Sequence, residues 1–255
     1  MQAKREKQKN TLLRAAAVIT ALVLWQAAAW LLDSTILLAG PIEVLGRFPA
    51  LCREADFLPS LWFSFSRIIG GFLLALCLGT ALAALAGRFR VVDIFLAPYM
   101  VTIKTVPVAS FIILALLWLS SAGLSVFISF LMVLPIVYTN VLGGIRSIDP
   151  NMEEAARLFR VPWPRRVLYL WLPSIKPYLL SACSVALGLS WKAGVAAEVI
   201  GVPSGSVGEA MYVAKVHLDM VDLLCWTVVI VAASLLFEKL FLALMRTLFR
   251  GLERI

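Results

Sequence analysis

Few residues in this chain are placed to do chemistry. It has one histidine, His217, and four cysteines, Cys52, Cys77, Cys183 and Cys225. A lone imidazole excludes a multi-histidine metal centre, and no two cysteines stand in CxxC spacing. Neither a metal site nor a set of catalytic residues is expected. A phosphate-cradling GxxxxGK[ST] stretch is absent from the sequence, so the chain is not expected to be a P-loop nucleotide hydrolase or to hold a cofactor. The ionisable residues that stand out are those set in apolar runs: Arg67, Lys104, Lys192 and Glu198. A charge in hydrocarbon is costly and faces protein or water. Lys192 and Glu198 are six residues apart, so they do not stack as neighbours on one helical face. Two readings of them stand. In one they line a path, Lys192 drawing an anion and Glu198 helping to form an outer gate. In the other they fix packing, by pairing across a dimer or with Arg67. Arg67 taken alone is a side chain reaching for an outer interface.

The longest polar interruption is Asp149 to Pro177, DPNMEEAARLFRVPWPRRVLYLWLPSIKP. Asp149 before Pro150 has the form of an N-cap with proline at the first helical position. Glu153 follows one turn on, where the helix dipole favours a negative charge. The spacing predicts a short helix from about Pro150 to Phe159, broken at Val161-Pro162-Trp163-Pro164. A second is expected from about Pro164 to Leu172, stopped by the next proline. Two short helices at an angle, apolar on one side and charged on the other, make a plug for a groove in another protein.

These segments need a scaffold, and the composition says which. Apolar residues make up 62% and charged ones 15%, against about 45–50% and 25% in soluble domains. At ~20 residues per helical crossing, the chain has room for about six crossings and no sizeable soluble domain. The expected spans are 12–32, 62–87, 101–120, 124–145, 174–197 and 223–244, in a single all-α domain over 1–255, with a short amphipathic helix at Pro41–Leu51. The first run exceeds a signal-peptide core and is read as a retained helix. A net charge of +8 is distributed as membrane orientation requires, not as a nucleic-acid patch. With the amino terminus inside, only Arg47, Arg53 and Lys215 fall in outer segments, and Arg67, Lys104 and Lys192 in spans. All other Lys and Arg, from Lys4, Arg5 and Lys7 to Arg254, face the cytoplasm. Both termini and segment 149–173 are therefore expected to be cytoplasmic. Cys52 and Cys225 fall near the outer face, where a disulfide between them is open.

Segment 149–173 resembles the EAA loop of ABC-importer permeases. The family pattern is Glu-Ala-Ala, three residues, Gly, nine residues, an aliphatic, one residue, Leu-Pro. Glu154-Ala155-Ala156 begins it here, and Leu170, Leu172 and Pro173 keep the spacing. Arg160 occupies the glycine position. Either the arginine turns left-handed, at ~1–2 kcal/mol, or Val161-Pro162 sets the turn. PIEV (41–44), SFSRIIGGFLLA (64–75), KTVPVASF (104–111) and LSWKAGVAAEVIG (189–201) with Gly208 are similar to stretches of the nitrate/sulfonate/taurine branch, so the likeness covers roughly residues 35–245. The branch usually has a glycine where Ser206 stands.

The resemblance implies a type I ABC-importer permease fold, with six helices in a subunit of the inner membrane that pairs with a second copy around a path. It implies two cytoplasmic ATPase subunits that hold the ATP, and an extracytoplasmic substrate-binding protein. Docking to the ATPase would fall to Glu153, Glu154, Ala155, Ala156, Arg157, Arg160, Leu172 and Pro173. The cargo would be a nitrate-, sulfonate- or taurine-like anion, or a heterocycle of the thiamine-precursor kind. A stand-alone secondary transporter or channel is the alternative; it calls for inverted repeats and a midplane ion site, and no internal repeat is visible. An intramembrane enzyme calls for a polar catalytic pair, and Lys104, Lys192 and Glu198 are too scattered for one.

Overall fold

The computed structural model describes residues 2–252; the side chains of Lys4, Arg5 and Lys7, and all of Arg254, lie outside the described residues. Among the described residues every regular element is helical. In order they are α1 (Gln2–Leu32), α2 (Pro41–Leu51), α3 (Phe57–Arg88), α4 (Arg90–Thr105), α5 (Val108–Ala115), α6 (Ser121–Arg146), α7 (Pro150–Leu158), α8 (Trp163–Arg166), a π-helical turn (Val167–Trp171), α9 (Leu172–Gly201), α10 (Val207–Val216) and α11 (Met220–Leu252).

By length and composition, five stretches are able to cross a membrane: Leu12–Leu32, Phe57–Arg88, Ser121–Arg146, Trp163–Gly201 and Met220–Gly251. A sixth crossing is open to α4 and α5 together, which meet at 100°. The straight span expected over 101–120 is thus a broken pair. Val106 is extended (φ −72°, ψ 132°) ahead of Pro107, the conformation a residue before proline favours. Lys104, in the last turn of α4, donates to Thr139 Oγ1 at 3.3 Å.

The helix expected to stop at Pro173 does not stop there. Leu172 N–H reaches back five residues to the Val167 carbonyl, which widens the turn. Pro173 then falls in the first turn of α9, where a missing N–H costs little. One helical path therefore runs without a loop from Trp163 to Gly201.

The chain divides into two compact units, Met1–Pro59 with Ala210–Val229, and Ser60–Glu209 with Ile230–Ile255. In the first, the Trp25 indole N–H donates to the Ala39 carbonyl (3.1 Å) and Ile42 N–H to Gln26 Oε1 (3.2 Å), joining α1 to the start of α2. Arg47 grips Asp222 through two parallel bonds of 2.6 and 3.0 Å and Glu54 through a third of 2.5 Å. Those carboxylates push the guanidinium pKa up, so Arg47 stays charged at any accessible pH. Cys52 and Cys225 are both free, and the Cys225 thiol donates to the Val44 carbonyl instead.

The second unit packs around α6 and α9. α6 turns Leu124, Ile128, Val133, Val137 and Val141 inward at helical spacing. α9 meets it with Cys183, Ala186, Leu187 and Ala193. Lipid tails are as apolar as leucine, so close approach and not hydrophobicity holds such helices together. Gly194 permits that approach: a Cβ there would lie 2.6 Å from Ile68 Cγ1 and 2.7 Å from Ser129 Oγ. Edge-to-face pairs, Phe65–Phe237 and Phe72–Phe241, tie α3 to the later part of α11.

Candidate functional site

Segment 149–173 is built as the sequence predicts at its start. Asp149 is extended and its carboxylate accepts from Asn151 N–H at 2.9 Å, capping α7. At the other end the helix closes on a residue with no usual claim to the position. Val161 N–H bonds to the Ala156 carbonyl (2.9 Å) and Arg160 N–H to the Arg157 carbonyl (3.0 Å), while Arg160 sits at φ +49°. This is a Schellman closure, which wants a glycine at the left-handed position. Of the two routes open to the turn, the chain takes the strained one.

Glu153 knots the segment together. Its Oε1 accepts from the Arg166 guanidinium and, at 3.4 Å, from Arg157 Nη2; its Oε2 accepts from the Trp171 indole at 3.2 Å. One carboxylate thus fixes α7 against α8 and the π turn. Glu154, one residue on, is exposed. Met152, Ala155, Ala156 and Phe159 recur at i, i+3, i+4 and i+7, making one stripe of α7. Met152 is 60% exposed and Phe159 83%, with Leu158 beside them at 76%. Ala155 and Ala156 are half-buried, Leu172 is half-buried, and Pro173, Arg157 and Arg160 are exposed. A helix with this much apolar surface in the open, anchored behind by a salt bridge, presents a face for another surface to cover.

Glu198 and Lys192 lie on one helix with opposite fates. Glu198 is fully buried. Its Oε2 accepts from Ser64 Oγ at 2.5 Å and from Gly208 N–H at 3.4 Å, and Ser64 Oγ in turn accepts from Val207 N–H at 2.9 Å. Oε1 has no partner. The carboxylate therefore holds the turn after α9 and the start of α10 against α3. Gly208 makes this contact possible, because a Cβ there would fall on Glu198 Cβ and its backbone. Between them Val202 is left-handed at φ 45°, ψ 55°, a rare conformation for a β-branched residue. Lys192 is exposed and makes no contact with this node. The Arg67 guanidinium donates to the Ala122 carbonyl and lies 4.0 Å from the Phe63 ring centroid. Among the described residues no ion pair or hydrogen bond joins Glu198 to Arg67 or to Lys192.

One acidic residue escaped the sequence reading. Glu238, in the apolar run of α11, accepts from Ser184 Oγ at 2.6 Å. The signal was present, since an intramembrane carboxylate demands a partner. His217 is exposed in the turn after α10. Among the described residues no cluster of three metal-ligating side chains forms.

Residues 75–254 match the family described as binding-protein-dependent transport system inner membrane component. A Bacillus subtilis (strain 168) protein bearing the name of an aliphatic sulfonates transport permease is 29% identical over 187 residues, 72% of this chain and 67% of its own. The bicarbonate transport system permease of Synechococcus elongatus is 24% identical over 262 residues, 97% of this chain and 93% of its own. The nitrate import permease of the same organism is 28% identical over 143 residues, 56% and 51% of the two chains. A match over more than half of a chain whose helices are long enough for a multi-pass membrane protein leaves one conclusion: this chain belongs to the binding-protein-dependent transport inner membrane component family, the ABC importer permeases of the type I fold, which are not enzymes.

Proposed function

We propose that the chain, acting as one permease domain, forms half of the path of an ATP-driven importer for a small anion and couples that path to an ATPase through segment 149–173. The observation that carries this is the open stripe of α7, Met152, Ala155, Ala156 and Phe159, with Glu154 alongside and Glu153 turned away to brace the segment. Small residues at its centre let a helix enter a groove closely, and a free carboxylate meets a basic or N–H donor there. Two ATPase subunits bind the ATP, so the chain itself needs no cofactor, and both termini share the cytoplasmic side with the segment. A second copy completes the path, and an external binding protein delivers the cargo.

Sulfonate, bicarbonate and nitrate in the relatives' names support a small oxyanion as that cargo. The exposed Lys192 within a crossing helix supports the same reading; Glu198 instead holds the turn after α9, and Arg67 the start of α6. The test is co-purification of the ATPase with uptake, for Glu154→Ala and Ala156→Trp. A charged hydrogen bond of ~1.5–3 kcal/mol is lost in the first and the groove is overpacked by ~1–3 kcal/mol in the second. Both variants should insert normally yet shed the ATPase or uncouple its hydrolysis. Full retention and uptake in both would remove this segment from the coupling role.

A further inference from the structure

Behind α7, on a different face from the apolar stripe, lies a groove of about 540 Å³. Arg88, Glu153, Arg157, Trp163, Arg166 and Trp171 line it. Three guanidinium groups against one carboxylate leave the lining positive by two charges. They are not equally engaged. Arg166 is held by Glu153 and lies over the Trp163 ring, 5.5 Å from its centroid. Even so, its Nε is buried with no partner. Arg157 is 67% exposed and touches Glu153 only at 3.4 Å. Among the described residues Arg88 meets no carboxylate, and its guanidinium lies 5.8 Å from the Phe89 ring centroid. A second, smaller cavity of about 210 Å³ continues the groove past Arg88 and Arg157 toward Ile145.

The groove's place along the chain says what would fill it. Arg88 ends the crossing helix Phe57–Arg88, and Trp163 begins the crossing stretch Trp163–Gly201. Two crossing helices therefore bring their ends to one spot, with paired indoles, Trp163 and Trp171, 5.1 Å apart in an edge-on contact. Tryptophan sits by preference at the level of lipid headgroups, and basic pockets between crossing helices at that level recognise phosphorylated headgroups. Guanidinium forks match phosphoryl oxygens in geometry as well as charge.

We propose that this groove is a phosphoryl-binding site, taking the phosphate of an anionic lipid headgroup between Arg88, Arg157 and Arg166. The bilayer is the nearest source of that chemistry; soluble phosphate is the other. The ligand would bridge the end of α3 to α7 and α8, so that occupancy stiffens the segment from behind while its outer stripe stays free. The site adjoins the segment of the proposed coupling but does not depend on that segment engaging an ATPase.

The test uses the full-length protein and Arg88→Gln, with Arg88→Lys as the charge-keeping control. Native mass spectrometry reads retention of phosphatidylglycerol against phosphatidylcholine, and a parallel titration reads binding of inorganic phosphate. A lipid site predicts selective retention of phosphatidylglycerol, reduced about five- to tenfold in Arg88→Gln and less than that in Arg88→Lys, which keeps the charge but loses the fork. A soluble-phosphate site predicts the same pattern in the phosphate titration with no lipid selectivity. Equal binding of both probes by wild type and Arg88→Gln overturns the proposal. A folding fault in Arg88→Gln would show as a lowered melting temperature, in which case the wild type decides: phosphatidylglycerol retained no better than phosphatidylcholine, with no binding of inorganic phosphate, also overturns it.

Discussion

Replacing Arg160 with glycine should make the segment more stable, against the usual effect of removing a side chain. Arg160 closes α7 at φ +49°, with Val161 N–H on the Ala156 carbonyl and Arg160 N–H on the Arg157 carbonyl. A residue with a Cβ pays ~1–2 kcal/mol for that conformation. Glycine pays nothing there but returns about 0.5–1 kcal/mol through the greater freedom of its unfolded chain. The difference favours Arg160→Gly by roughly 0.5–1 kcal/mol, which makes local opening about two- to fivefold rarer. Hydrogen exchange by mass spectrometry, on peptides covering 150–162 of the purified full chain, reads this directly as slower exchange. Arg160→Ala keeps the backbone cost and loses the guanidinium, so it separates strain from side-chain contacts. The reasoning fails if Arg160→Gly exchanges as fast as wild type, or if Arg160→Ala slows exchange as much as glycine does.

Three further outcomes are expected. Gly208→Ala drives a methyl group into Glu198 and its backbone, neither of which has room to yield, and should cost at least ~1–3 kcal/mol; a melting temperature equal to wild type would contradict the node. Glu153→Gln leaves Arg166 without its carboxylate and should cost ~1.5–3 kcal/mol locally, read as faster proteolysis around 159–166 with the crossing helices intact; unchanged cleavage would mean the knot holds nothing. Lys192→Gln should raise the KM for anion uptake about tenfold, as loss of a charged contact of ~1.5 kcal/mol would, with normal assembly; uptake at the wild-type KM would take Lys192 off the path.

What the sequence exposed and what it hid divide along physical lines. Helices written as long apolar runs were legible, and so was the cap at Asp149, because each rests on residues close in sequence. The short helix at Pro41–Leu51 was equally plain. The bend at Val106-Pro107 was marked by its proline, yet how sharply the chain turns there depends on packing against α6. Pro173 misled for a related reason: proline ends a helix only where the preceding turn cannot widen, and the π turn at Val167–Trp171 did widen. The sequence placed Lys192 and Glu198 off one another's helical face but left open whether they line a path or fix packing. Six residues of helix turn them to different surroundings, and the serine that satisfies Glu198 lies 134 positions away. No local pattern announces a partner at that distance. Arg160 was recognised as the departure it is, but which of two turns it takes is settled only by the hydrogen bonds around it.

The continuous stretch from the π turn to Gly201 has a mechanical side. Leu172–Gly201 holds 30 residues, which at about 1.5 Å each makes a rod of about 45 Å. A rod of that length, tilted by about 6° at one end, carries its other end through about 5 Å. Glu198 and the strained Val202 sit at that far end, and Glu153 grips Trp171 at the near one. The helical bonding pattern changes at the widened turn, and Pro177 a little further on removes another backbone donor. That turn would work as a wrist in the proposed coupling: a small rotation of the hand below it would become a large excursion of the fingertip above, with no loop between to absorb the stroke.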